Sequence, residues 1–243
     1  MEWFVDLYDD FRRRAGFGRM SEEQTRQEVD FICEVLGLRQ GSKLLDLFCG
    51  AGRHSIELAR RGCASTGIEL NPEYLELARQ AAKGMVHPPN FIQGDVRSVD
   101  FGKGYDAAIV MFQSFGYFSD AEDRLVLRKV FEALKPGGRF LIEILNRDWI
   151  LKNYAEVQDT VIDGIRVVEQ RKFDPLTSRN NFTIRRYEAG GIVTKRGSWR
   201  LYPAYEMKNI LEGIGFRFAG GYADLGKAPL MQDTRLMRLV FEK

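Results

Sequence analysis

The sequence contains little cysteine. Cys33, Cys49 and Cys63 are its three cysteines among 243 residues, and no two of them form a CxxC pair. A zinc site needs clustered thiols or imidazoles, and a disulfide framework needs several pairs of cysteines. We therefore predict a metal-independent protein that keeps its thiols reduced.

The net charge is also small, since 36 Lys and Arg residues stand against 34 Asp and Glu residues, which gives +2. Proteins that bind nucleic acid mainly through its phosphates usually carry a large positive charge. Nucleic acid is therefore not the expected partner, although a local basic patch is left open.

Long apolar runs are missing as well. No segment approaches the roughly 20 apolar residues that a membrane-spanning helix needs. Near the N-terminus, Asp6, Asp9 and Asp10 interrupt any stretch that would resemble a signal peptide. We expect a cytoplasmic protein without a membrane partner, either a monomer or a dimer.

What is present is a core-forming composition, with 44% hydrophobic residues, 17 Phe, 9 Tyr and 3 Trp. This composition argues against disorder. The length fits a single domain over residues 1–243 with a modest insertion.

The first segment, residues 1–37, is predicted to be a helical cap. An aromatic stripe with helical spacing runs over residues 1–20, and Gly16 and Gly18 end it. Ser21 and Gln24 then have the spacing of a capping box, which predicts a second helix to about Leu36.

Residues 40–145 alternate between apolar strands and amphipathic helices. The predicted strands are 44–48, 63–69, 90–93, 106–112 and 139–145, and the helices between them are 54–61, 72–82 and 121–134. This alternation is typical of a doubly wound α/β sheet. Lys135–Gly138 is predicted to be a turn before the last strand.

The pattern changes over residues 157–202, where short strands and turn dipeptides predict an antiparallel β insertion. Predicted strands are 161–162, 165–169, 182–187, 192–195 and 198–202, with turns at 163–164, 174–175, 190–191 and 196–197. Residues 203–243 then return to the core with a helix and two strands, and no helix is predicted between those strands.

The segment after the first strand is the most informative part of the sequence. Asp46 is followed by a loop with Gly50 and Gly52, and a helix then begins. Glycines permit close approach of a ligand, and a helix N-terminus offers free amides for an anion. The loop is not a full dinucleotide motif, because Ser55 occupies the third glycine position, and it is not a P-loop.

Two further carboxylates end the next two strands. Glu69 follows 23 residues after Asp46, and Asp95 ends the third strand. In an open α/β sheet the carboxyl ends of the strands bind the ligand, and an acid after the second strand meets a ribose. A dehydrogenase would also place an acid near Glu69, so that residue alone does not decide between the two classes.

The sequence resembles the class I S-adenosylmethionine-dependent methyltransferases through five motifs in order: LLDLFCGAGRHSIELA, GIELNPEYL, FIQGDVR, YDAAIVMFQSFGYF and LKPGGRFLIEI. The resemblance covers residues 40–145. It implies a Rossmann-like fold with a mostly parallel seven-stranded sheet and a terminal antiparallel strand, and S-adenosylmethionine as cofactor with S-adenosylhomocysteine as product.

The resemblance also implies roles for individual residues in a cofactor site. The loop would embrace the methionine part of the cofactor, Glu69 would bind the ribose and Asp95 the adenine amine. The cofactor residues implied in this way are Asp46, Leu47, Phe48, Cys49, Gly50, Ala51, Gly52, Glu69, Leu70, Gly94, Asp95, Val96 and Met111.

The acceptor is less clearly indicated. The chain lacks the Asn/Asp-Pro-Pro-aromatic turn of amino-methylating DNA enzymes and the Pro-Cys nucleophile of cytosine-carbon enzymes. Cys49 is expected to pack rather than react. His54 is either a base or a histidine whose ring is hydrogen-bonded to nearby backbone, and the second alternative is favoured. Candidate acceptor contacts are Tyr8, Gln113, Ser114, Tyr117, Arg200 and Tyr202, the last two for an anionic group.

Three functions remain open from the sequence. The first is transfer of a methyl group to a nitrogen or oxygen of a small molecule, mainly by positioning in a closed site. The second is methylation of RNA or protein, because arginines occur at 12–14, 185 and 186. The third is a non-catalytic, cofactor-binding regulatory protein.

Overall fold

The computed structural model describes residues 2–243, so Met1 of the predicted N-terminal cap lies outside the described residues. The α-helices are α1 Trp3–Leu7, α2 Asp10–Ala15, α3 Glu22–Leu36, α4 Arg53–Arg60, α5 Pro72–Ala81, α6 Asp120–Ala133, α7 Arg147–Lys152 and α8 Ala204–Ile214. The strands are β1 Lys43–Leu47, β2 Ala64–Glu69, β3 Asn90–Gln93, β4 Tyr105–Val110, β5 Leu134–Leu145, β6 Val157–Ile162, β7 Ile165–Asp174, β8 Arg179–Glu188, β9 Gly191–Arg200, β10 Arg217–Tyr222 and β11 Leu236–Glu242. None of the described helices has the length and hydropathy needed to cross a bilayer.

The main sheet has seven strands in the order β10-β11-β5-β4-β1-β2-β3. Strands β1 to β5 are parallel to one another, whereas β11 is antiparallel to both β5 and β10. The predicted doubly wound sheet with a terminal antiparallel strand is confirmed. The chain between β10 and β11 contains no helix, as predicted.

Helices cover both faces of this sheet, and β4 shows why. Ala107 and Ile109 belong to a core cluster with α3 and α4, whereas Ala108 and Val110 belong to the cluster under α6 and α8. All four side chains are fully buried. A strand that is apolar on both faces stands at the centre of a parallel sheet, and its carboxyl end therefore points to the ligand-binding edge.

The second sheet consists of β6, β7, β8 and β9 in sequence order. The antiparallel arrangement of the insertion is confirmed, but its strands are longer than predicted. The predicted turn at Arg196–Gly197 is wrong, because both residues pair within β9. Gly197 is needed there for packing, since a Cβ at this position would collide with the rings of Trp3 and Phe182.

The N-terminal stripe forms two short helices and not the single helix predicted. The break falls at Tyr8, whose ψ of 61° is not helical, and Asp9 caps α2 by accepting from the Arg12 N–H at 2.9 Å. The capping box of Ser21 and Gln24 is confirmed at the start of α3. Sequence reasoning missed α7, which Asn146 caps by accepting from Asp148 N–H.

Candidate active site

A cavity of about 890 Å³ lies at the carboxyl edge of the main sheet and extends under the N-terminal segment and the second sheet. Predicted residues that line it are Tyr8, Asp46, Phe48, Cys49, Gly50, Ala51, Glu69, Leu70, Gly94, Asp95, Val96, Met111, Gln113, Ser114, Tyr117, Arg200 and Tyr202. Leu47 and Gly52 lie outside this lining: Leu47 is fully buried in the core. In residues 2–243 no group of three or more His, Cys, Asp or Glu side chains is placed to hold a metal ion.

The glycine loop turns through the left-handed region at Phe48, Gly50 and Gly52, with φ values of 57°, 56° and 75°. This conformation disfavours residues with a Cβ. At Gly52 a Cβ would also lie 2.7 Å from a Phe91 ring atom. Gly52 therefore lets the loop pack closely against Phe91, while Gly50 lines the cavity.

Cys49 packs under the same loop. Its Sγ would lie 2.7 Å from a Cβ built on Gly67 of β2, so the two small residues let the loop rest on that strand. Burial raises the pKa of the Cys49 thiol well above its ordinary value. A thiol with a raised pKa is a poor nucleophile at neutral pH, which supports a packing role.

Asp46 is the most deeply buried acid of the site, with 2% of its surface exposed. It accepts a 2.6 Å hydrogen bond from the Ser55 hydroxyl of α4. Burial raises the pKa of Asp46 to about 7, although the Ser55 bond partly opposes this. The residue that breaks the dinucleotide motif thus has a definite role, because a glycine there could not bind Asp46.

Glu69 fixes the loop through two backbone amides. One carboxylate oxygen accepts from Gly50 N–H at 3.0 Å, and the other accepts from Asn71 N–H at 2.8 Å. Burial raises the pKa of Glu69, against the effect of these amide bonds. Each oxygen keeps further acceptor capacity toward the cavity.

Asp95 is held by Arg97, whose guanidinium lies 2.6 Å from the carboxylate. Burial opposes ionisation, but the Arg97 hydrogen bonds outweigh it and lower the pKa of Asp95. Arg97 also pairs with Glu2 at 2.5 Å and with Glu122 at 2.8 Å. One arginine therefore connects the acid at the end of β3 to the N-terminal segment and to α6.

Sequence reasoning missed Arg53, the first residue of α4. It pairs with the buried Glu28 of α3, which is also 2.7 Å from His54 Nε2. The Nη2 atom of Arg53 is buried and has no hydrogen-bond partner among residues 2–243. A buried donor without a partner is costly, so this atom is a candidate for a ligand contact. In the sequence, the position of Arg53 directly after the glycine loop is the feature that could have identified it as a binding residue.

The ring of His54 is hydrogen-bonded as the favoured alternative predicted, but its partner is the Glu28 side chain of α3 and not nearby backbone. Burial and the nearby Arg53 charge lower the pKa of His54 to about 4. The pKa of Glu28 lies at about 2, because its interactions with His54 and with the Arg53 guanidinium outweigh the effect of burial. At neutral pH His54 is uncharged and bonded to a carboxylate, which does not favour a role as general base.

On the acceptor side, the hydroxyls of Tyr8 and Tyr117 share a 2.7 Å hydrogen bond. Burial raises the pKa of both tyrosines, so they stay protonated. Phe112 and Gln113 follow β4 with φ values of 56° and 63°, and Glu143 accepts from the Phe112 N–H at 3.1 Å. Consecutive non-glycine residues in this region store strain, which is frequent at ligand sites.

The N-terminal segment roofs the cavity between the two sheets. Asn71 Nδ2 donates to the Tyr8 carbonyl at 2.9 Å, and the Tyr74 hydroxyl donates to the Asp9 carbonyl at 2.9 Å. These bonds occupy the backbone where α1 ends, which explains why the helix breaks there. The segment is thereby tied to the chain next to Glu69.

Arg200 and Tyr202 line the cavity with their polar ends already bonded. Arg200 pairs with Glu206 and lies 3.3 Å from Asp120. The Tyr202 hydroxyl donates to Asp123 at 2.8 Å. The predicted contact of these two residues with an anionic acceptor stays a prediction, and their protein partners weigh against it.

Comparison with known proteins finds that a family model described as a methyltransferase domain matches residues 44–138. YqeM of Bacillus subtilis, a methyltransferase by name, is 35% identical over 143 residues, covering 58% of this chain and 53% of that protein. The chain thus spans about half the length of the curated relatives it matches.

Solved structures extend the likeness to nearly the whole chain. The CcbJ methyltransferase of Streptomyces caelestis superposes with a TM-score of 0.78 at 21% identity, covering 93% of this chain and 97% of that one. CalS10 of Micromonospora echinaspora, an amino pentose methyltransferase solved with S-adenosylmethionine, gives 0.67 at 22% identity and covers 97% and 98%. At these identities the likeness establishes the Rossmann-like fold.

Proposed function

We propose that this chain, with its methyltransferase domain at residues 44–138, transfers a methyl group from S-adenosylmethionine to a nitrogen or oxygen of a small molecule. The observation that carries the proposal is one cavity lined by three acids, a glycine loop and a pair of tyrosines. The acids suit the polar groups of the cofactor, and we assign the tyrosines to the acceptor.

The residues present fit S-adenosylmethionine. Glu69 keeps acceptor capacity for ribose hydroxyls, and Asp95 lies beside Leu70 and Val96, which offer an apolar surface to adenine. The orphaned donor of Arg53 suits the cofactor's carboxylate. S-adenosylmethionine bound there would supply a methyl group on a positively charged sulfur, and Met111 lines the same cavity.

The protein's own contribution to the reaction is positioning and exclusion of water. His54 lines the cavity, but it is held by Glu28 and is therefore not free to act as a base. A neutral amine or an oxyanion can attack a methyl group in line when both are held near contact, which removes much of the entropic barrier. The Tyr8–Tyr117 pair and the N-terminal segment cover part of that space and limit the access of water.

A small acceptor is favoured over RNA or protein for a structural reason. Most arginines that pointed to RNA are paired within the chain: Arg13 and Arg14 with Asp10, and Arg186 with Asp9. The N-terminal segment and the second sheet also cover part of the cavity, which favours an acceptor small enough to enter it. The amino pentose acceptor of CalS10 is of the size that such a site admits.

Isothermal titration calorimetry tests the cofactor. We expect binding of S-adenosylmethionine and S-adenosylhomocysteine, and Glu69→Ala should weaken both by roughly 1–3 kcal/mol, the range for lost hydrogen bonds to a charged group. Glu76→Ala, an exposed change on α5 outside the cavity lining, is the matched control. Tight binding of NAD without binding of either adenosyl compound would overturn the proposal.

A further inference from the structure

The basic side chains that line the cavity fall into two groups. Four of the six have a carboxylate partner within the chain: Arg53, Arg171, Lys195 and Arg200. The other two, Arg12 and Arg235, form no ion pair with any of residues 2–243. Among the Lys and Arg side chains of the cavity lining, only these two lack a carboxylate partner in residues 2–243.

Arg12 belongs to the acceptor side of the cavity. Its guanidinium lies 5.8 Å from the ring centre of Trp199, over the face of the indole. Its charge acts on both tyrosines of the Tyr8–Tyr117 pair, where it opposes the rise of their pKa values caused by burial. Arg12 therefore lies close to the place where the acceptor is expected.

Arg235 reaches the same cavity from the other end of the chain. It directly precedes β11, which runs antiparallel to β5, so it lies at the carboxyl edge of the main sheet. Its guanidinium is 5.4 Å from the ring centre of Trp149 on α7. Trp149 and Arg235 both line the cavity, and Arg235 is exposed to solvent there.

Each guanidinium group thus lies over an indole ring and has no carboxylate partner among residues 2–243. This arrangement restricts the side chain while it preserves the donors that match a carboxylate or a phosphate. An unpaired guanidinium at a cavity wall is complementary to an anion, and a fork of N–H donors can bind two oxygens at once.

We propose that the acceptor of methyl transfer carries an anionic oxygen group, a phosphate or a carboxylate, and that Arg12 and Arg235 bind it. The inference rests on the proposed function, because it assumes that the space beside Met111 holds the acceptor. It assigns to these residues the selection of anionic over neutral acceptors of similar size.

Fluorescence titration tests the proposal, since Trp3, Trp149 and Trp199 are the only tryptophans of the chain. The protein is saturated with S-adenosylhomocysteine and titrated in separate arms with inorganic pyrophosphate and with malonate. Arg12→Gln and Arg235→Gln are compared with Arg196→Gln, an exposed arginine outside the cavity lining. Thermal unfolding of each variant checks that it is folded.

We expect at least one of the two anions to change the tryptophan fluorescence saturably. Each cavity variant should weaken its binding about fivefold or more, the double variant further, and Arg196→Gln should not. The arm that binds more tightly identifies the oxygen group. Arg12→Lys should restore binding only in part, because it keeps the charge but not the fork of donors.

The inference is overturned if neither anion binds, or if the double variant binds as tightly as the Arg196→Gln control. Failure of S-adenosylhomocysteine itself to bind is a separate result that contradicts the proposed function. If S-adenosylhomocysteine binds but substitution of Arg12 and Arg235 does not change anion binding, only the proposal of an anionic acceptor is contradicted.

Discussion

Asp46 provides a test of the site that needs no substrate. The carboxylate is buried under the glycine loop, and burial raises its pKa from 3.8 to about 7. Asp46→Asn keeps the shape of the side chain and an oxygen for the Ser55 hydroxyl, which donates to it at 2.6 Å. The variant removes the charge and leaves most of the packing.

The magnitude follows from linkage between proton binding and folding. Between about pH 4 and pH 7 the folded protein keeps a proton that the unfolded chain has lost, so wild-type stability falls relative to the variant as the pH rises. With a pKa of about 7 in the folded protein and 3.8 in the unfolded chain, the buried carboxyl group lowers the free energy of unfolding by about 4 kcal/mol at pH 8 and by about 2 kcal/mol at pH 5. Asp46→Asn should therefore be the more stable protein at pH 8, by an amount that shrinks on acidification.

Urea unfolding followed by far-ultraviolet circular dichroism measures the difference at both pH values. Asp233→Asn, at an exposed position far from the loop, controls for the general effect of removing a carboxylate. An advantage of the Asn variant that is equal at pH 5 and pH 8 would refute the reasoning, as would a variant less stable than wild type at pH 8. The same substitution should weaken S-adenosylmethionine binding, because the site loses the carboxylate that is buried at the start of the loop and bonded to Ser55 of α4.

Two further predictions concern the loop and the roof. Gly50→Val should keep the fold by circular dichroism but abolish cofactor binding in calorimetry, because a β-branched residue resists the φ of 56° found there; an unchanged dissociation constant would remove the loop from the site. In hydrogen exchange, residues 1–20 and parts of 157–202 should gain protection when S-adenosylhomocysteine binds, since α1 and the second sheet close the cavity. Protection confined to residues 46–52, 69 and 95 would show that the N-terminal segment only packs against the body.

The core of the fold could be predicted from the sequence because its signals are local. Apolar strands, amphipathic helices and caps such as Ser21 with Gln24 depend on neighbours in the chain. The Lys135–Gly138 turn was predicted before β5, and the structure shows it inside that strand, as an interruption between the paired residues Leu134 and Arg139. The interruption accommodates the proline and glycines of this segment, and the strand continues after it.

The errors came where contacts between distant segments decide the conformation. Gly197 resembles a turn residue, but the rings of Trp3 and Phe182 require it within a strand. The break at Tyr8 depends on Asn71, which is 63 positions away in the sequence. Arg53 was overlooked for the same reason, since only its buried pairing with Glu28 of α3 shows that one donor is left over.

Transfer of label from methyl-labelled S-adenosylmethionine to cell extract tests the central claim most directly. The extract is separated into metabolites, RNA and protein before incubation, and product is counted in each fraction with wild type and with Gly50→Val. We expect labelled product from the metabolite fraction alone, dependent on the intact loop. Label confined to the RNA or protein fraction, or no turnover in any fraction by a protein that binds S-adenosylmethionine, would contradict the account.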